Sequence, residues 1–196
     1  MGYGDVWTFV ALDADTKLVL SWHIGWCEPE DAYDFISDIR ARLDNRVQLS
    51  TASHRMYLYA IDHAFKDGAV DYGMIVKQYG TQPDESDRSS PPKYISMKAK
   101  RIQGNPDMSK VSTSYVERQN LTMRVNMRRF TRLTNGFSKK FENPKYFISL
   151  HFMCYYFVKT HKTLTTPYPS TPAMAEGITD HILTTGEIVK LTCLQH

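Results

Sequence analysis

Two apolar runs near the start of the chain, rich in β-branched and aromatic residues, constrain its fold more than any other feature: residues 6–13, VWTFVALD, and 17–24, KLVLSWHI, with Ala14, Asp15 and Thr16 between them. Three residues cannot make the crossover that parallel strands need, so the runs are predicted to pair as an antiparallel hairpin. The period then changes. Over residues 28–43, Ala32, Phe35, Ile36, Ile39 and Leu43 recur at three- and four-residue intervals, which predicts an amphipathic helix with acidic residues in its first turn. A short strand at 46–51 follows. A second helix, capped by Ser53 and running to about residue 65, is expected to turn Met56, Tyr57, Ala60, Ile61 and Ala64 inward. Another strand falls within 70–79.

Residues 80–93, GTQPDESDRSSPPK, are rich in Pro, Ser and charge and predict an exposed loop, with an edge strand near 98–104. Helices at about 114–134 and 143–160 dominate the remainder. The prolines of TTPYPSTP interrupt any helix there, and a short polar helix is expected at 171–175 within a C-terminal tail, 165–196. No internal repeat is present. This order of elements is that of a mixed α/β sheet flanked by helices on both faces.

With 196 residues, 42% hydrophobic and 23% charged, the chain is long enough to bury the core of one domain. Its longest apolar stretch, 152–158, falls well short of the roughly 20 residues of a membrane span, and the N-terminus lacks a signal-peptide pattern, so the expected location is cytoplasmic with no membrane partner. Cys27, Cys154 and Cys193 are odd in number and without CxxC spacing, which argues for free thiols.

The net charge of +3 hides a division along the chain: residues 1–97 carry 9 Lys and Arg against 15 Asp and Glu, residues 98–140 carry 11 against 2, and residues 141–196 carry 4 against 4. Such asymmetry is the footprint of a nucleic-acid surface, although a basic stretch also arises as a plain solvated face. On a helical wheel of residues 114–134, Tyr115, Val116, Met123, Met127, Phe130 and Leu133 gather into one arc, the expected core face. Opposite lie Glu117, Asn120, Arg124 and Arg128, flanked by Arg118, Arg129 and Arg132, with Lys139 and Lys140 just beyond. Guanidinium groups bind phosphate bidentately at any working pH, so these Arg and Lys residues are the candidate contacts to a DNA phosphate backbone. Taken alone, Glu117 suits an intrahelical ion pair. The aromatic stretch HFMCYYFVKTH, with Leu150 just ahead of it and Met153, Phe157 and Val158 within it at helical spacing, is expected in the core. His151 and His161, ten apart, do not match a compact metal-ligand pair.

Residues 112–143, STSYVERQNLTMRVNMRRFTRLTNGFSKKFEN, resemble the C-terminal catalytic region of DDE-type bacterial insertion-sequence transposases of the insertion-sequence-one family. The resemblance continues through GDVWTFVALDADTKLVLSW, RVQLST, HFMCYYFVKTHKTL and TPAMAEGITDH, nearly the whole chain. It implies a ribonuclease-H-like fold and a single partial catalytic domain over 1–196. It also implies DNA cleavage and strand transfer at two divalent ions, Mg²⁺ or Mn²⁺, held by two Asp and one Glu.

By that resemblance, Glu117 in SYVERQN matches the catalytic Glu. The second Asp of the family ends a strand in a Thr-Asp-Gly-His pattern, where this chain reads Thr51, Ala52, Ser53 and His54, and alanine offers no oxygen to a metal. The first Asp belongs to a strand preceding the Gly-Tyr-Gly-Asp segment, here Gly2 to Asp5, so the central strand of the sheet is expected to be lacking. Asp13, also at a strand end, is a candidate substitute metal ligand and otherwise a turn residue. The resemblance therefore implies a transposase defective in catalysis. The alternative is a non-catalytic remnant that binds DNA, full-length transposase or a second copy of itself.

Overall fold

The computed structural model describes residues 6–80, 94–131, 140–164 and 169–193, with residues 191–193 described in backbone only. The chain divides into two compact units, one of residues 1–9 and 23–114, the other of residues 10–22 and 115–196. Strands β1 (Trp7–Leu12) and β2 (Val19–Gly25) form a two-stranded sheet. The connection is six residues, wider than the sequence suggests. Asp13 N–H donates to the carbonyl of Leu18 at 2.8 Å, and Lys17 turns the chain at φ +62°.

In the first unit, α1 (Pro29–Ala41) buries Ala32, Phe35, Ile36 and Ile39, the stripe expected from their spacing. Each large apolar side chain removed from water in this way contributes about 1.5–3 kcal/mol. Phe9 packs against Phe35 and Tyr57, with ring centroids 5.6 and 6.3 Å away. Strand β3 (Val47–Ala52) leads through α2 (Arg55–Ala64) into β4 (Val70–Tyr79), and β3 and β4 pair in parallel. The N-cap of α2 is His54, one residue later than expected, and Ala60 and Ile61 are its buried residues. Strand β5 (Tyr94–Gln103) returns antiparallel along β4 and begins four residues before the expected edge strand. The result is a mixed three-stranded sheet of order β3-β4-β5, separate from the β1-β2 sheet. Val111 lies so close to β4 that a Cβ at Gly73 would come within 2.5 Å of it, so only glycine fits there.

The second unit holds α3 (Ser114–Asn126), a 3₁₀ turn at Arg128–Phe130, α4 (Glu142–Phe157), α5 (Pro172–Ala175) and α6 (Thr185–Cys193). The buried residues of α4 are Ile148, Phe152 and Tyr155, whereas Leu150, expected inward, is 58% exposed. Tyr155 and Tyr156 donate their hydroxyls to the carbonyls of Lys17 and Val19 at 2.9 and 2.8 Å, satisfying backbone acceptors where β2 begins. Trp22 packs on Phe152. Thr171 caps α5 by accepting the Met174 N–H. Among the described residues no helix is long and apolar enough to cross a membrane. Cys27 and Cys154 are free thiols, and the side chain of Cys193 lies outside the described set.

Candidate nucleic-acid interface

Helix α3 is shorter than its sequence suggests. Met123 accepts the last helical N–H, that of Met127, and Met127 itself is extended at φ −122°, ψ 104°. The break has a weak sequence signal in Asn126, a poor helix former suited to helix ends, with no Gly or Pro to mark it. Arg128 and Arg129 therefore leave the α3 wheel and occupy the following 3₁₀ turn.

The inward stripe of α3 is Gln119 and Met123, continued by Met127 past the break, while Val116 and Phe130 are half-buried. Tyr115, expected in the core, is 45% exposed and carries the Lys17 ammonium 4.0 Å over its ring. Gln119 takes the buried position that periodicity assigned to apolar neighbours, and its Nε2 has no hydrogen-bond partner. Leu133 lies outside the described residues, as do Arg132 and Lys139.

Glu117, Arg118 and Arg124 stand exposed on α3, with Leu121 and Val125 also exposed among them. Arg128 and Lys140 are exposed as well. Arg129 differs. It is half-buried, with its guanidinium 4.1 Å from the centre of the Phe147 ring, so part of its binding capacity is spent inside the unit. Arg118 and Arg124 on α3, Arg128 in the 3₁₀ turn and Lys140 ahead of α4 are the exposed cations among the described candidates.

Asp13 serves its own turn. One carboxylate oxygen, Oδ2, accepts the Thr16 N–H and hydroxyl, both at 2.6 Å, and the Asp15 N–H at 3.2 Å. Ala52 is the final residue of β3 and is exposed, in the first unit, while Asp13 and Glu117 belong to the second. Among the described residues no three His, Cys, Asp or Glu side chains form a group that could hold a metal ion. His151 and His161 flank the Tyr155 ring, with centroids 6.4 and 4.7 Å away, and the Nε2 of each is buried without a partner. Burial, reinforced by the positive charge of Lys159, holds both imidazoles below their ordinary pKa.

Compared with protein-family models, with curated proteins and with solved structures, the chain gives no match.

Proposed function

We propose that this chain is a transposase-type catalytic domain of ribonuclease-H-like descent that has lost strand-transfer chemistry and keeps a surface for DNA phosphates. The observation that carries the proposal is the exposed set Arg118, Arg124 and Arg128, with Lys140 beside it, in a stretch holding 11 basic residues against 2 acidic. A solvated helix face seldom needs so one-sided a charge. The transposase part rests on the resemblance around Glu117. The defect rests on Ala52, which brings no oxygen to the end of β3, and on Asp13, whose Oδ2 is engaged in its turn.

A second function, association with full-length transposase or with another copy of this chain, draws on the exposed Leu121 and Val125 among the α3 arginines. DNA binding and the loss of strand transfer are tested with the purified chain. Binding to duplex DNA of any sequence is expected, weakening steeply with salt, and weaker in Arg118→Ala/Arg124→Ala/Arg128→Ala. Equal affinity in that variant would remove α3 from the DNA surface. Strand transfer with Mg²⁺ or Mn²⁺ is expected from neither the natural chain nor Ala52→Asp. Turnover by the natural chain that disappears in Glu117→Gln would overturn the defect.

A further inference from the structure

The registers of β4 place a feature that the charge count alone did not reveal. Pairing with β3 ends at Ala52 opposite Ile75, whereas pairing with β5 continues through Val76–Lys98, Lys77–Met97, Gln78–Ser96 and Tyr79–Tyr94. Beyond Ile75 the sheet is therefore a two-stranded ribbon, about 13 Å long at 3.3 Å per residue. Most of its side chains are exposed, including Tyr79, Tyr94, Ile95, Met97 and Lys98.

Strand β5 carries Lys98, Lys100 and Arg101 and has no acidic residue; all three cations are exposed, and among the described residues none makes a side-chain hydrogen bond or ion pair. Lys98 and Lys100, two residues apart, lie on one face of the sheet about 6.6 Å from each other. The outer edge of β5 has no strand beside it among the described residues. An exposed edge with apolar side chains invites a partner, but a second β5 laid antiparallel on it would set these cations against their own copies. The charge points instead to a polyanion. Lys98 stands at the base of the two-stranded ribbon and Lys100 two residues further along β5, so the cations follow one exposed strand, as contact with a phosphate backbone requires.

We propose that the β4–β5 ribbon, with the adjoining length of β5, is a second DNA-binding element, holding duplex phosphates through Lys98 at the base of the ribbon and Lys100 on the same face. The proposal rests on the view that this chain holds DNA, and adds to it a surface on the first unit, apart in sequence from α3. Residues 81–93, which join the two strands, lie outside the described residues and form no part of the site.

The test is fluorescence anisotropy of the full chain with a labelled 30-base-pair duplex across a salt series. Four proteins are compared: the natural chain, Lys98→Gln/Lys100→Gln, Lys98→Arg/Lys100→Arg, and the triple α3 arginine variant. Two lost phosphate contacts lower the slope of log affinity against log salt by about 1.8. That drop is expected for the Gln pair, with no drop for the Arg pair, which keeps both charges and so separates lost contact from lost folding. A natural slope in the Gln pair, with weakened binding in the α3 variant, overturns the ribbon and leaves α3 as the DNA surface. Weakened binding in the Gln pair alone upholds the ribbon and removes α3. Failure of the natural chain to bind DNA, with capture of a poly-glutamate peptide that the Gln pair abolishes, overturns the nucleic-acid assignment in favour of an acidic protein partner.

Discussion

Thr51 and Tyr72 meet inside the first unit, one residue before the strand end at Ala52, and their hydroxyls share a hydrogen bond of 2.6 Å. Tyr72 is 1% exposed and Thr51 9%, so neither hydroxyl has water to fall back on. Burial also pushes the Tyr72 phenol above its ordinary pKa, and the pair stays neutral and hydrogen-bonded throughout the working range. Replacing Tyr72 by Phe leaves the Thr51 oxygen buried and unpaired, which costs about 1–3 kcal/mol. Thr51→Val strands the phenol at a similar cost. The double variant removes both polar groups with little change of shape and is expected to cost less than either single change, a coupling of about 1–3 kcal/mol. Urea denaturation followed by circular dichroism measures all four proteins, with an unchanged dependence on denaturant confirming that stability alone has moved. In a chain of 196 residues each kcal/mol shifts the melting midpoint by about 2–4 °C, so the single variants are readily resolved. If the two single effects simply add in the double variant, the hydroxyls do not depend on each other and the buried bond contributes nothing to the end of β3.

Two further outcomes are expected. His151 and His161 are held below the ordinary histidine pKa of 6.5 by burial, so the unfolded chain binds protons first; their contribution to stability is complete above about pH 6.5 and is lost as pH falls through the lower folded values. Unfolding midpoints measured from pH 8 to pH 5 should decline on the acid side, less so in His151→Phe/His161→Phe, and an equally steep decline in that variant would assign the effect to other groups. Gly104 sits at φ +65°, where an added Cβ would meet the Asp71 carboxylate and approach the Val70 carbonyl oxygen to 2.8 Å. Gly104→Ala should therefore destabilise by at least about 1–2 kcal/mol of left-handed strain and disturb the bidentate grip of Arg46 on Asp71; a melting midpoint equal to that of the natural chain would refute this.

Where one period dominated, the sequence alone determined the element. The spacing of Ala32, Phe35, Ile36 and Ile39 specified both α1 and its buried face, the run expected to hold a strand within 70–79 formed β4, and the strand expected at 46–51 formed one residue later at each end. Local sequence suffices there because half of each element must leave water and the repeat distance says which half. The candidate site was legible mainly as charge: the excess over 98–140 singled out α3, but one count could not separate Lys98 and Lys100 on a strand from Arg118 and Arg124 on a helix. Tertiary structure decided the rest. In α4 apolar residues occur nearly all round, so periodicity could not choose between Leu150 and Ile148, and contact of Phe152 and Tyr156 with β2 and of Tyr155 with the turn before it settled it. Met127 leaves the helix with no glycine or proline to end it, and Arg129 turns onto Phe147, because packing partners far along the chain outweigh the small preferences of single residues for one backbone state.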